Sequence, residues 1–340
     1  MQCMTYNHAS YIVDAMNGFA MQETSFPYVC LITDDASTDG APGVIKQYMA
    51  KHFDLTDEKT AKKEDTDDYT LTFARHKTQK NCYFAILELK YNHFQINKSR
   101  QPYWARWTGN AEYIAFCEGD DYWISSVKLQ KQVDFLDNNE DFTCCGTNGL
   151  VLWEDYSHWP RYFNNIKINR ELCPEEIIGN WIFPTASIVV RRTVLDNYPA
   201  WTKKISSGDI TLLLIAMSRG RIYAMADITC VYRKLIESAF AKAVISKKGF
   251  DPDKLQLLLY KSFKEYTGER YAQPISNVIQ RLEGNVRRRE IESHNIIAQF
   301  FMAPRILLSR IFRSMVECLK TSIIAKKQSG IFYRIIRKNK

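Results

Sequence analysis

The sequence predicts an α/β fold, with a mostly parallel sheet flanked by helices and followed by a C-terminal helical extension. Apolar runs typical of buried strands alternate with segments of helical periodicity over the first 140 residues, which is the pattern of a parallel sheet. At 340 residues the chain is longer than one minimal domain. We therefore expect a main domain over 1–240 and a helical extension over 241–340, which ends in a basic amphipathic tail at 295–340.

The first half of the main domain supplies the predicted sheet elements in order. Residues 2–4 are predicted as the end of a strand whose beginning is missing. Segment 51–68 holds eleven charged residues in eighteen and is predicted as a solvated loop, and no element is predicted between 74 and 109. The other elements are helices at 10–21, 44–49 and 127–138 and strands at 28–32, 69–73 and 113–117.

The second half is predicted to contain shorter strands around one buried helix. The helix is expected at 210–217, where apolar residues are continuous and polar residues flank both ends. The strands are expected at 142–145, 150–153, 187–190, 222–225 and 229–232.

Positive charge is concentrated at one end of the chain. The net charge is +8, and residues 295–340 hold ten basic residues against one acidic residue, so the first 294 residues sum to about −1. A nucleic-acid-binding domain would spread basic residues over a face of its body, so no nucleic-acid partner is expected. The sequence shows no CxxC pair, no signal peptide and no apolar run of the roughly 18 residues that span a bilayer. The cytoplasm, where thiols stay reduced, is the expected compartment.

Three polar segments each follow the C-terminal end of a predicted strand. In a parallel α/β sheet these ends lie along one edge, where ligands bind. We therefore expect the three segments to meet in one crevice. They are Thr5-Tyr6-Asn7, Asp34-Asp35 and Glu118-Gly119-Asp120-Asp121.

The last of these segments, the acidic turn (residues 118–121), predicts a metal site. Clustered carboxylates repel each other unless a cation joins them, and Mg²⁺ or Mn²⁺ is the hard cation that shares carboxylate and phosphate oxygens. A metal-bridged diphosphate is a good leaving group, because the cation neutralises the charge that develops on it. The alternative is an exposed turn whose aspartates cap the following helix.

The segment after the second strand suits recognition of a nucleobase. A carboxylate at Asp35, or less favourably at Asp34, can accept the imide N–H of uracil or thymine, and Tyr6 can stack on the base. Residues 34–40 also fit a helix-capping loop in which Ser37 or Asp39 is the cap. Tyr6 also fits ordinary packing.

Together these segments resemble family 2 glycosyltransferases of the GT-A fold, a Rossmann-like α/β fold, of the type that builds bacterial surface polysaccharides. The similarity rests on Thr5-Tyr6-Asn7 with Tyr11-Ile12 and on residues 34–40, 113–123 and 128–133, and it extends to about residue 235. The resemblance implies an inverting, metal-dependent transfer of a sugar from a nucleotide-diphosphate sugar, with a UDP-sugar favoured. The implied acceptor is a hydroxyl of a glycan or of a lipid-linked molecule.

The resemblance also implies a role for individual residues. It assigns the metal to Asp121, with Asp120 in the ribose and metal region and Glu118 in the place of the first acid of an Asp-x-Asp motif. It assigns the general base to Asp209. The residues implied in nucleotide-sugar binding are Thr5, Tyr6, Asn7, Asp34, Asp35, Asp120 and Arg233.

Several of these assignments have structural alternatives in the sequence. Asp209 follows Ser-Ser-Gly at the start of a buried helix, which is also the place of an N-cap. Arg233 can donate to a diphosphate oxygen or form a surface salt bridge. Trp181, Phe183 and Pro184 either line an acceptor groove or pack in the core.

The basic tail has two interpretations. Apolar residues recur every three or four positions from Leu308 to Ile323, with lysine and arginine beside them. This pattern is typical of an interfacial helix on an anionic membrane, and a helix packed on the catalytic domain also fits. We expect the first, which places the chain on the inner face of the cell membrane.

Two other functions are compatible with the general pattern. A sugar-nucleotide pyrophosphorylase would need a glycine-rich phosphate loop with arginine and lysine after the first strand, and Tyr6-Asn7-His8-Ala9 lacks these features. A non-catalytic, membrane-associated scaffold with a degenerate site would have no need to retain every expected acid.

Overall fold

The computed structural model describes residues 1–205, 207–235 and 251–302, with side chains described as far as residue 292. The chain divides into two compact units, Met1–Gln280 and Arg281–Lys340. The amphipathic pattern predicted from residue 308 onward lies outside the described residues. Within the described part, no helix is both long enough and apolar enough to cross a bilayer.

The strands of the described residues form one large mixed sheet in the first unit. In chain order they are β1 (Gln2–Thr5), β2 (Tyr28–Asp34), β3 (Phe53–Asp54), β4 (Lys62–Asp65), β5 (Tyr69–His76), β6 (Cys82–Leu89), β7 (Tyr113–Glu118), β8 (Tyr122–Trp123), β9 (Phe142–Trp153), β10 (Arg161–Tyr162), β11 (Arg170–Leu172), β12 (Val189–Arg191) and β13 (Arg221–Lys234). Their order across the sheet is β11-β13-β9-β12-β7-β1-β2-β6-β5-β3, with β10 beside β9, β4 beside β5 and β8 beside β13.

Helices flank this sheet, which confirms the predicted α/β fold. In chain order they are α1 (Ile12–Ala20), α2 (Ala41–His52), α3 (Gln101–Thr108), α4 (Lys128–Asp137), α5 (Pro174–Ile177), α6 (Gly208–Arg219), α7 (Pro252–Thr267) and α8 (Ala272–Met302). Short 3₁₀ helices lie at Thr185–Ser187, Arg192–Leu195, Ala200–Lys204 and Gly268–Tyr271.

The parallel part of the sheet is its centre. Strands β7, β1, β2 and β6 are parallel neighbours, and β9 also runs parallel to β13. The other pairs, including β12 with β7 and β5 with β6, are antiparallel. The carboxyl ends of β1, β2 and β7 therefore share one edge, as the sequence predicts.

The segment between residues 51 and 109 is more ordered than predicted. The solvated loop expected over 51–68 contains β3 and β4, which hold their register against β5 although β4 is charged and exposed. Strand β6, which the sequence analysis missed, lies between β2 and β5 with Phe84 and Ile86 buried. An edge strand needs one neighbour and no apolar face, so charge alone does not identify a loop.

Two pairs of short predicted strands are single long strands. Residues 142–145 and 150–153 both belong to β9, and 222–225 and 229–232 both belong to β13. The glycines within β9 suggest from the sequence that one strand ends and another begins. In the structure the strand is continuous, and close packing requires these glycines. A Cβ at Gly146 would lie 2.6 Å from the Phe183 ring, and one at Gly149 would lie 2.9 Å from the Cys230 sulfur.

Packing of α1 against β8 fixes the position of the acidic turn. A Cβ at Gly18 would lie 2.7 Å from the Trp123 carbonyl oxygen, so only glycine allows this approach. The buried Trp123 ring packs on Phe19 at 5.0 Å, and its indole N–H donates to the Ala186 carbonyl oxygen at 2.7 Å. Truncating such a side chain to alanine costs about 3–5 kcal/mol.

Candidate active site at the carboxyl edge of the sheet

Hydrogen bonds join the first loop (residues 5–9) to the second loop (residues 34–40). The Asn7 amide N–H donates to Ser37 Oγ at 2.8 Å, and Asn7 Oδ1 accepts from the Thr38 N–H at 2.8 Å. Ala9 N–H donates to Asp39 Oδ2, also at 2.8 Å. Asn7 has a φ of 58°, a left-handed conformation that asparagine tolerates. These bonds hold the two loops as one surface.

The acidic turn lies against the first loop. The Gly119 N–H donates to the Met4 carbonyl oxygen at 2.8 Å, and the Asp35 N–H donates to the Thr5 carbonyl oxygen at 3.0 Å. A Cβ at Gly119 would lie 2.6 Å from Thr5 Oγ1 and 3.0 Å from His8 Nδ1. Thr5 Oγ1 and His8 Nδ1 are themselves buried and have no hydrogen-bond partner among the described residues. The three predicted segments therefore lie side by side at one edge of the sheet.

Asp34 builds the second loop. Its Oδ1 accepts from the Ser37 N–H at 2.9 Å and its Oδ2 from the Ser37 hydroxyl at 2.6 Å. Burial raises the pKa of Asp34, and the bonds from Ser37 oppose that shift. Its carboxylate thus serves the turn directly after β2.

Asp35 anchors a segment that the sequence analysis left unassigned. Its Oδ1 accepts from the His93 backbone N–H at 2.7 Å, and its Oδ2 accepts from the Phe94 N–H at 3.1 Å and from Arg100 Nη1 at 3.0 Å. Asp35 is 2% exposed. The side chain predicted to bind a base therefore holds residues 92–100 against β2, whereas Tyr6 beside it is 38% exposed.

The carboxylates of the acidic turn repel one another. Burial raises the pKa of Glu118 to about 7, and the charges of Asp120 and Asp209 add to the shift. Burial also raises the pKa of Asp121, again with help from Asp120 and Glu118. The backbone N–H of Arg233 donates to Asp121 Oδ1 at 2.7 Å. The turn is therefore not a solvent-exposed helix cap.

Arg233, at the end of β13, forms hydrogen bonds to the acidic turn. Its Nη1 donates to the Asp120 carbonyl oxygen at 2.9 Å, and its Nη2 donates to the Asp14 carboxylate. The guanidinium carbon lies 4.4 Å from the Tyr122 ring centre and 5.3 Å from that of Tyr11. Arg233 thus forms an intramolecular salt bridge, the structural alternative that the sequence left open.

Asp209 lies in the first turn of α6, whose N-cap is Ser207. Asp209 Oδ1 accepts from the Ile210 N–H at 2.8 Å, and the Trp181 side chain lies close to the Asp209 carboxylate. Burial raises the pKa of Asp209. The charge of Asp209 also contributes to the raised pKa of Glu118. The structure therefore brings the predicted general base close to the acidic turn.

Other side chains complete the site, and the sequence analysis gave them no role there. Burial raises the pKa of the Tyr232 phenol to about 12, and the charges of four nearby acids add to the shift. These acids are Asp121, Asp120, Glu118 and Asp209. His8 Nε2 lies 3.9 Å from Asp120 Oδ2, and Thr185 forms a hydrogen bond to Glu118. Tyr232 precedes Arg233 and His8 follows Asn7 in the sequence. Their position beside these motif residues is a signal that could have identified them.

The residues thought to line an acceptor groove divide into two groups. Phe183 is 0% exposed and Pro184 is buried with it, as expected for core packing. Trp181 is 43% exposed and contacts the candidate base.

The donor set of the acidic turn fits a hard divalent cation. Its side-chain ligands are carboxylate oxygens, their charges are mutually unfavourable, and the buried Thr5 hydroxyl beside them lacks a partner in the described structure. Among the described residues, no group of three or more His, Cys, Asp or Glu side chains is arranged to hold a metal ion. The ligands implied by the resemblance, Asp120, Asp121 and Glu118, all belong to this turn.

Comparison with known proteins gives distant relatives. No family model matches the chain. Three uncharacterized proteins, one from Mycobacterium bovis and two from strains of Mycobacterium tuberculosis, are each 29% identical over 248 residues, which is 73% of this chain and 62% of theirs. The match thus spans less than two thirds of the length of these relatives.

Solved structures show a weak likeness. TarS from S. aureus, in complex with UDP, is 16% identical with a TM-score of 0.44, and the match covers 79% of this chain and 72% of that one. The mannosyltransferase PcManGT from Pyrobaculum calidifontis, in complex with GDP-Man and Mn²⁺, is 13% identical with a TM-score of 0.44, covering 88% of this chain and 80% of that one. Likeness at this level does not assign an activity.

Proposed function

We propose that the chain is a nucleotide-sugar glycosyltransferase of the GT-A type, a family 2 hexosyltransferase that uses Mn²⁺ or Mg²⁺ and inverts the anomeric carbon. The observation that carries the proposal is the proximity of Glu118, Asp120, Asp121 and Asp209 at the carboxyl edge of the sheet, where burial raises the pKa of Glu118, Asp121 and Asp209. Strongly perturbed carboxylates in a cleft are typical of a catalytic site. The motif resemblance gives the reaction class.

The donor is a nucleotide-diphosphate sugar, with a UDP-sugar as first choice. Tyr6 is exposed beside the second loop and can stack on the base. Thr5 is buried beneath the first loop, and Asn7 joins this loop to the second by accepting from the Thr38 N–H. Asp35 and Asp34 act by shaping this surface, because N–H and O–H donors already occupy their oxygens. Asp120, Asp121 and Glu118 would hold the divalent cation, which would neutralise charge on the leaving diphosphate.

Transfer is a single displacement with Asp209 as general base. The acceptor hydroxyl gives its proton to the Asp209 carboxylate, and its oxygen forms a bond to the anomeric carbon. The bond from that carbon to the diphosphate breaks, and the nucleoside diphosphate leaves with the electron pair. The raised pKa of Asp209 suits this role, because a base with a pKa closer to the working pH binds the proton more strongly.

We further propose that the acceptor is a glycan or lipid-linked molecule of cell-surface polysaccharide synthesis, reached from the inner face of the membrane. The support is the basic amphipathic pattern of residues 295–340 in the sequence. Sedimentation with anionic liposomes, comparing the full chain with one lacking 295–340, tests this point. Equal binding of the two proteins would remove the membrane role.

The deciding experiment is a donor screen. Each UDP-, GDP- and dTDP-sugar is incubated with the full chain, Mn²⁺ and an acceptor extract, and release of nucleoside diphosphate is measured with and without EDTA. We expect metal-dependent release from one donor. No release from any donor would favour the non-catalytic scaffold, and release that EDTA does not affect would remove the metal assignment.

A further inference from the structure

Trp181 links the candidate base to the surface of the protein. Its side chain lies close to the Asp209 carboxylate, and 43% of the residue is exposed. The rings of Phe163 and Tyr232 meet the indole in T-shaped contacts, with centroids 4.9 Å and 5.3 Å away. Two aromatic contacts therefore hold Trp181 beside the carboxylate while much of the residue remains open to a ligand.

The segment that carries Trp181 is held in place by hydrogen bonds from two asparagines and by a buried phenylalanine. The next residue, Ile182, accepts a hydrogen bond at its carbonyl oxygen from Asn164 Nδ2 at 2.9 Å, and Asn148 Nδ2 donates to the Asn164 carbonyl oxygen at 3.1 Å. Phe183, one residue further, is fully buried against Gly146. The exposed indole is thus a preorganised feature, which reduces the entropy lost when a ligand binds to it.

The surroundings of the indole favour a saccharide over an alkyl chain. An aromatic face beside a polar group suits a partner that has C–H groups on one side and hydroxyls at its edge, and a pyranose ring has both. A lipid chain placed here would bring apolar surface against the Asp209 carboxylate and the Tyr232 phenol, which costs desolvation of both groups.

We propose that Trp181 forms the acceptor subsite, where its ring stacks on the pyranose that receives the new sugar and its indole N–H holds Asp209 toward the acceptor hydroxyl. The proposal rests on the glycosyltransferase function proposed above and adds that the group glycosylated is itself a sugar. Trp181 is then a specificity-determining residue through its ring and a positioning residue through its N–H.

Two substitutions separate these roles. Trp181→Phe keeps an aromatic ring and removes the N–H donor. Trp181→Gln removes the ring and keeps an N–H donor the same number of bonds from Cα. Trp201→Phe is the matched control, because the indole N–H of Trp201 is buried without a partner among the described residues.

Binding is measured by saturation-transfer NMR on the full chain with UDP and Mg²⁺. The probes are the methyl glycosides of glucose, galactose, mannose and N-acetylglucosamine. We expect at least one glycoside to receive saturation from the wild type, Trp181→Phe and Trp201→Phe, and to receive about tenfold less from Trp181→Gln. Equal saturation from Trp181→Gln, or no saturation from the wild type, would overturn the subsite.

Kinetics with the donor and acceptor found in the screen test the positioning role. Trp181→Phe should lower kcat by about 10- to 100-fold with acceptor KM unchanged, because a hydrogen bond to a charged group is lost. Trp181→Gln should instead raise acceptor KM and retain more of kcat. An unchanged kcat in Trp181→Phe would refute the positioning role. A wild type without transfer would refute the proposed function, while the NMR result would still decide whether Trp181 binds a sugar.

Discussion

The second loop and the acidic turn place carboxylates on the same edge of the sheet but treat them differently. In the second loop, Asp34 and Asp35 accept hydrogen bonds from backbone N–H groups and from the side chains of Ser37 and Arg100. In the acidic turn, burial raises the pKa of Glu118 and of Asp121, and the charge of Asp120 adds to both shifts.

From this difference we infer that Asp34 and Asp35 stabilise the second loop and that the carboxylates of the acidic turn are available to a ligand. A carboxylate whose oxygens are occupied by donors contributes to stability, since removal of either partner leaves a buried polar group without a bond. A carboxylate held among like charges costs stability until a cation or proton compensates it. Proximity to the active site is therefore a poor guide to the role of an aspartate here, and hydrogen-bond saturation is a better one.

The largest effect is expected at Asp209, whose pKa is raised by burial. Asp209→Asn keeps the shape of the side chain and removes the proton acceptor, so the transfer rate should fall by about 10²–10⁴-fold. UDP affinity, measured by titration calorimetry, should not change. The control is Asp196→Asn, which breaks a surface ion pair with Arg192 and should transfer normally. Normal transfer by Asp209→Asn would show that another group is the base.

The two regions should respond to neutralisation with opposite signs. Asp35→Asn places an amide where the Arg100 guanidinium and two backbone N–H groups donate, and should lower the free energy of unfolding by about 2–3 kcal/mol. Asp121→Asn removes a repelled charge and keeps an oxygen for the Arg233 N–H, so it should not destabilise the metal-free protein.

Urea unfolding in EDTA measures both variants. Asp121→Asn should also abolish the dependence of transfer on added Mn²⁺, whereas Asp35→Asn should retain it in whatever protein remains folded. Equal destabilisation by the two substitutions would mean that the distinction between the two regions is wrong.

The pH dependence of stability should show the same contrast with a smaller effect. Glu118 has its pKa raised from 4.5 to about 7, so the folded metal-free protein binds this proton more tightly than the unfolded chain. Stability from Glu118 is therefore fully present below about pH 4.5 and is lost as the pH rises through about 7, by about 2–3 kcal/mol between pH 5 and 8.

The measurement compares wild type with Glu118→Gln in EDTA between pH 5 and 8. Buried His93, whose pKa is lowered chiefly by burial, changes stability in the opposite direction in this range, and it contributes equally to both proteins. The difference between the two curves isolates Glu118. Parallel curves would contradict the assignment of the raised pKa to this residue.

The smallest effect is expected in the second loop at Ser37. Ser37→Ala removes the hydroxyl that donates to Asp34 and accepts from the Asn7 N–H, at 2.6 Å and 2.8 Å. The free energy of unfolding should fall by about 1 kcal/mol, with a modest loss of UDP affinity as the first and second loops separate. Unchanged affinity together with lower stability would show that the loop does not shape the nucleotide surface.

Much of the fold was predictable because it depends on local patterns. The apolar runs of β2 and β7 and the helical spacing of α1 and α4 are stronger than any competing signal, and each was predicted within a few residues. The missed parts depend on neighbours. Strand β4 exists because β5 pairs with it, and the glycines inside β9 are explained by the Phe183 ring and the Cys230 sulfur.

The candidate site was predictable in its membership and less so in its internal roles. The sequence placed Asn7, Asp35 and Asp121 on one edge because parallel strands end together, and the structure brings their loops into contact. It could not show that Asp35 bonds to residues 92–100, since that segment carries no recognisable signal. Nor could it show that Arg233 already has intramolecular partners.

The sequence by itself determined the α/β class, the strand-end position of the three polar segments and the acidic character of the turn, because these follow from periodicity and residue type. Only the tertiary structure decided which carboxylates are saturated and which repel one another. That distinction depends on donors supplied by distant parts of the chain, such as His93 and Arg100 for Asp35. Hydrogen bonds and repulsion act over a few ångströms, and the fold alone sets those distances.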